Sequence, residues 1–179
     1  MATPPDFTTG AVLTAAQMNA VGLWLVKTQT VTGGNAATVV TNAFNTDFQN
    51  YKIIVSNGAT SSGNTSLNLT FGATVANYDY AGFFFGPSGT GVFGGINQTN
   101  VLIGEGTTNL IQCNFECQNP FLAKHTTFAN MTAYNLTNNN GRLCSGALSN
   151  TTSYTDFTLT LTGGATFTSG TIYVYGYRD

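Results

Sequence analysis

The sequence predicts an all-β protein: a jelly-roll-like antiparallel β-sandwich with a short N-terminal extension and helix. Three observations predict it. Only 7% of the 179 residues are charged, and the polar surface comes instead from 31 Thr, 20 Asn and 9 Ser. Thr suits the half-buried surface of a strand, and Asn and Gly suit turns. Apolar and polar residues then alternate with period two, most clearly in Leu67-Asn68-Leu69-Thr70-Phe71 and in Phe157-Thr158-Leu159-Thr160-Leu161. Finally, Gly/Asn/Ser clusters at 33–34, 57–64, 138–141 and 163–164 break the chain at short intervals. Many short strands with frequent turn signals indicate a sandwich or a barrel. Eight or nine strands fit a jelly roll, and a chain of this length can bury one core.

The elements follow in order. Pro4 and Pro5 keep the first dozen residues extended. A helix start comes next: Thr14 as N-cap, Gln17 completing a capping box, and Leu13 and Met18 as a hydrophobic staple. The helix is expected to run to about residue 26, with Met18, Val21 and Leu25 on one stripe and Trp24 beside it. Gly22 weakens it by about 1 kcal/mol relative to Ala, and a helix this short is marginal alone. Leu13, Met18, Val21, Trp24 and Leu25 are therefore expected to dock on another surface, as an anchor in residues 1–27.

The β-sandwich is expected over residues 28–179. Its strands are placed at 28–32, 37–43, 51–56, 66–71, 109–117, 126–134, 143–148, 156–162 and 170–177. The aromatic, glycine-rich stretch 82–95 fits no period and reads as a long connection. Phe83, Phe84, Phe85 and Phe93 within it would leave a large apolar patch on a monomer, so they are expected to lie between subunits.

Chemistry is sparse. The seven acidic residues sit in no pairing motif, which disfavours a glycoside hydrolase. His125 is the sole histidine, so no multi-histidine metal site is possible, and no metal or cofactor is expected. Cys113 and Cys117 would lie roughly 13 Å apart along one strand face, too far for a disulfide. They read as small core residues. The five cations, Lys27, Lys52, Lys124, Arg142 and Arg178, are too few and too scattered for nucleic acid. The opening MATPPDF has neither the basic nor the apolar region of a secretory signal, and no apolar run approaches the ~20 residues of a membrane helix. Synthesis and folding in a cytoplasm are expected. A neutral Thr/Asn/Tyr face could hydrogen-bond and stack on sugars, with Tyr78, Tyr80, Tyr134 and Tyr154 as candidate contacts. For any one of these residues an ordinary sheet exterior is the commoner role.

Four segments carry a resemblance. FTTGAVLTAAQMN resembles the opening of many tailed-bacteriophage structural proteins, and FNTDFQNYKIIV looks like the segment that follows in them. Asn119-Pro120-Phe121-Leu122-Ala123 is similar to their central element, and FTSGTIYVYGYRD to their usual ending. The four occur in order across nearly the whole chain. The family comprises phage tail-fibre and minor virion proteins. The resemblance implies a virion β-module and not an enzyme. It further implies a homotrimer, contacts with other phage virion proteins of tail or capsid, and a particle location after assembly in the host cytoplasm. The leading expectation is a short fibre or host-contacting module of the tail. A capsid decoration protein is the alternative, and a lectin-like module binding a host surface glycan is an alternative of another class.

Overall fold

The computed structural model describes Gly10 and residues 22–87, 89–135 and 140–177, with backbone alone at 132–135 and 140. Among these residues there is no helix. Twelve strands occur: β1 (Trp24–Thr30), β2 (Ala37–Val40), β3 (Asn50–Thr60), β4 (Thr65–Phe71), β5 (Tyr78–Gly86), β6 (Gly89–Gln98), β7 (Val101–Gly106), β8 (Ile111–Gln118), β9 (Thr126–Asn135), β10 (Asn140–Leu148), β11 (Phe157–Leu161) and β12 (Phe167–Tyr177). Every pairing is antiparallel.

One sheet runs β1-β12-β3-β8-β9-β10-β5-β6, and the other runs β2-β11-β4-β7. Strand β8 joins them. Its residues 111–113 pair with β7, and residues 114–118 pair with β3. Set aside β5, β6, β9 and β10, and eight strands remain. In the chain order of those eight, one sheet reads first, last, third, sixth, and the other reads second, seventh, fourth, fifth. That is a jelly roll: the chain folds back on itself and each outgoing strand pairs with a returning one.

Both inner faces obey the period of two. Leu67, Leu69 and Phe71 on β4, with Phe157 and Leu159 on β11, are fully buried. They meet Tyr51, Ile53, Phe115, Ile172 and Val174 from the other sheet, also fully buried. Each such side chain stabilises the fold by roughly 1.5–3 kcal/mol. Phe44 links the layers, with ring centroids 4.8 Å from Tyr51, 5.8 Å from Phe71 and 5.7 Å from Phe157. Cys113, Cys117 and Cys144 are buried free thiols, consistent with core packing.

Two expectations need correction. Of the anchor residues, Leu13, Met18 and Val21 lie outside the described residues, but Trp24 and Leu25 do not belong to a helix. They open β1, where Trp24 pairs with Gly176 and Leu25 with Tyr175. The backbone explains why: Gly22 has φ +117°, which no right-handed helix contains. The local capping signal also says nothing about β12, whose backbone groups β1 satisfies. Trp24 packs on Phe48 with centroids 5.7 Å apart. Strand β1 therefore begins at Trp24, inside the expected extension, and removing residues 1–26 would cut into it.

The second correction concerns 82–95. It is no connection but the hairpin β5–β6, with Gly86 opposite Gly89. This hairpin is inserted between β4 and β7 of the jelly roll, and the hairpin β9–β10 between β8 and β11. The two insertions pair through β10 and β5, forming a four-stranded wing that continues the larger sheet beyond β8.

Candidate assembly interface

Glycine and aromatic residues face each other across the wing. A Cβ on Gly82 would lie 2.2 Å from the Phe93 ring, and one on Gly91 would lie 2.3 Å from the Phe84 ring. Each phenyl group thus occupies the space over the bare backbone of the neighbouring strand, which gives a glycine-rich strand something to pack against.

Alternation then sorts the side chains onto two faces. On one face are Tyr80, Phe84, Phe93, Phe128 and Arg142, turned toward the rest of the fold. Tyr80 and Phe93 pack on the core, and Phe128 is buried in it. The Asn130 Nδ2 donates to the Leu102 carbonyl of β7 over 3.1 Å. Arg142 of β10 makes an ion pair with Glu105 of β7, and its guanidinium carbon lies 5.6 Å from the Phe93 ring centroid. These contacts tie the wing to the smaller sheet.

Burial pushes the Glu105 carboxyl above its ordinary value of 4.5; the Arg142 charge and a Ser66 hydrogen bond oppose this without overcoming it. An acid whose folded value is raised stabilises the fold fully below its unfolded value, and that contribution is lost as pH rises through the folded value. Wild type is therefore expected to gain stability relative to Glu105→Gln as pH falls from neutrality toward 4.5. Thermal denaturation of the two proteins side by side measures this. Asp79 is held below the ordinary carboxylate range by the Asn97 backbone N–H and cancels in the comparison. A relative loss of wild-type stability over this window would mean that the ion pair outweighs burial.

The opposite face looks outward. Met131 of β9, Leu143 of β10, Phe83 of β5 and Val92 of β6 are direct cross-strand neighbours in one row. They are 63%, 42%, 42% and 82% exposed. Phe85, two residues along, stacks on Phe83 with centroids 6.3 Å apart. Between this row and Ile96 the floor is Ala81, Gly94 and Ser145, which leaves a shallow trough. No charged side chain lies in the row. The same face of the larger sheet is different before the wing begins: there Lys52 and Glu116 form an ion pair at 2.9 Å.

Of the four phenylalanines expected at a subunit interface, Phe83 and Phe85 are exposed together. Phe84 and Phe93 point to the other side. Met131, Leu143 and Val92 complete the row, and only strand register could have found them.

The expected sugar contacts are not brought together. Tyr78 is fully buried; its hydroxyl accepts from the Phe71 N–H at 2.7 Å and donates to the Thr74 carbonyl at 3.2 Å. Tyr154 is buried and its hydroxyl bonds Thr74 and Asn150. Tyr80 is half-buried, and burial raises its pKa. Tyr134 lies in β9, with its side chain outside the described residues. A half-buried aromatic pair that sequence reasoning passed over is Tyr173 and Tyr175 on β12, stacked with centroids 6.3 Å apart.

Among the described residues no three metal-binding side chains cluster. His125 is exposed in the turn before β9. Burial pushes the thiols of Cys113 and Cys144 up to about 12 and about 11, and that of Cys117 higher still, so none is a ready nucleophile. No described helix is long and apolar enough to cross a membrane. Comparison with family models, curated proteins and solved structures returns no match.

Proposed function

We propose that this chain is a non-enzymatic structural protein on the surface of a tailed-phage particle. It acts as a short fibre or host-contacting module of the tail and works as a closed symmetric assembly, a homotrimer. The observation that carries the reading is the outward row Met131–Leu143–Phe83–Val92 with Phe85. From their exposures, these side chains present on the order of 500 Å² of contiguous apolar surface, at the upper end of what a monomer shows to water. A jelly roll alone has no need of the two insertions that build this row. The four sequence segments that resemble phage virion proteins support the particle location. Two of the four tyrosines considered for a sugar site are consumed inside the core, which weighs against the lectin reading.

The test is a pair of charges in the row, Phe83→Glu with Leu143→Glu. Both side chains are 42% exposed, so the fold is expected to survive with an unchanged circular dichroism spectrum. The assembly is expected to dissociate, because burying two uncompensated carboxylates costs several kcal/mol. Light scattering that finds wild type monomeric at micromolar concentration would overturn the reading. Electron microscopy of particles carrying a tagged copy separates tail from head.

A further inference from the structure

We infer that the outer half of the wing is a hinged flap. It swings off the smaller sheet while the jelly roll stays closed, and the polar seam beneath Arg142 is where it opens. The motion belongs to a single chain and does not depend on how copies associate.

The hinge comes from the ladders. β9 pairs with β8 only over Thr127–Asn130, opposite Gln118–Phe115. Past that point β8 has crossed to β7, whereas β9 runs on to Asn135. Among the described strands, β10, β5 and β6 pair only within the wing. Beyond Asn130 the wing therefore has no ladder to the jelly roll. Its inner face changes character at the same place, where register arranges the side chains in rows. Phe128, Gly146 and Tyr80 form the row beside the ladder, Asn130, Cys144, Gly82 and Phe93 the next, and Arg142, Phe84 and Gly91 the outermost. The first row is apolar and closed, with the Phe128 ring centroid 5.9 Å from Phe115 and 6.5 Å from Tyr80.

The outer rows meet the smaller sheet through polar groups. Asn130 reaches the Leu102 carbonyl, and Arg142 reaches Glu105, whose cross-strand neighbour is Gln112. Phe93, half-buried at the margin of the core, is the apolar contact that opening gives up. Among the described residues, five buried side-chain polar atoms lack a hydrogen bond, and four belong here: Glu105 Oε1, Gln112 Oε1, Asn130 Oδ1 and Arg142 Nε. Glu105 Oε1 is met by the ion pair with Arg142; the other three find no protein partner. A buried polar group without a partner bears its full desolvation cost, which is relieved when water reaches it. Opening the Phe128 row would bring no such relief. A region of this kind opens locally at less cost than the whole domain. The outward row Met131–Leu143–Phe83–Val92 rides on the same half of the wing, so each opening re-aims it.

A native thiol reports the motion. Cys144 lies on the inner face between Asn130 and Gly82 and is 5% exposed. Cys117 is 1% exposed and pairs with Phe128 at the hinge. The full chain is alkylated with iodoacetamide, the sites are read by peptide mass spectrometry, and each rate is scaled to that of the same thiol in the unfolded chain. Cys144 should react about tenfold or more faster than Cys117, with a shallower dependence on urea, because a local opening exposes little surface. Arg142→Met leaves Glu105 buried without its cation and should speed Cys144 about tenfold further while Cys117 stays unchanged. Glu105→Leu with Arg142→Met replaces the ion pair by apolar side chains and should slow Cys144 below wild type. The double variant also keeps the comparison open if Arg142→Met alone does not fold. One rate and one urea slope shared by both thiols would overturn the flap, since the wing would then open only with the whole domain. A fast Cys144 indifferent to the substitutions would overturn the seam as the place of opening.

Discussion

A chain that stops at Ser169 is expected to be unfolded. β12 lies between β1 and β3, so its loss strips hydrogen-bond partners from two strands at once. It also removes Ile172 and Val174, both fully buried. Their burial contributes roughly 1.5–3 kcal/mol each, against a net stability of about 5–15 kcal/mol for a domain. The milder variant Ile172→Ala should remain folded and lose about 2–5 kcal/mol, because a cavity is left behind. Urea denaturation measures the loss as a lower midpoint at unchanged slope. A truncated chain with an undiminished melting temperature would mean that β12 is not structural.

The second large effect is expected at Gly104, where β7 meets β8. Leu67 pairs with Gly104 but Asn68 with Leu102, so Ile103 is an extra residue and the strand bulges there. A Cβ on Gly104 would sit 2.3 Å from the Gln112 carbonyl oxygen and 3.3 Å from Leu67 Cδ2. The first neighbour is backbone and cannot turn aside. Gly104→Ala is expected to cost about 3 kcal/mol or more, since β8 must shift just where it passes between the sheets. Gly63→Ala is the control: nothing lies within 4 Å of its added Cβ, and its effect should be near neutral. Equal melting temperatures for the two variants would show that the β7–β8 junction tolerates slack.

Seven of the eight jelly-roll strands are legible in the sequence because their inner faces are built from large apolar residues at alternate positions. Leu67, Leu69 and Phe71, or Phe157 and Leu159, announce period two without any partner in view. In the wing, β9 and β10 are legible at 126–134 and 143–148, but β5 and β6 are not, for a physical reason. The stabilising units of that hairpin are pairs across strands, Phe93 on Gly82 and Phe84 on Gly91, and the glycine half of each pair carries no hydropathy signal. β7 hid behind its bulge at Ile103. The expectation of a helix reaching residue 26 fails at Trp24 and Leu25 because a capping box is local, whereas the pairing of Trp24 with β12 spans the whole chain. Tyr78 and Tyr154 read as surface residues in the sequence because a hydroxyl is polar. In the fold each hydroxyl finds partners inside, which lets the ring be buried.

The division of the wing between two distant insertions has a kinetic consequence. Met131 and Leu143 come from one hairpin and Phe83 and Val92 from another, with β7 and β8 between them in the chain. Neither hairpin holds the whole apolar row, and β9 is joined to the rest of the larger sheet through β8, which pairs with β3. A nascent or half-folded copy therefore has no finished adhesive surface to offer. On the proposed assembly through this row, copies would recognise one another only when each had closed its own core, so association would select for completed subunits.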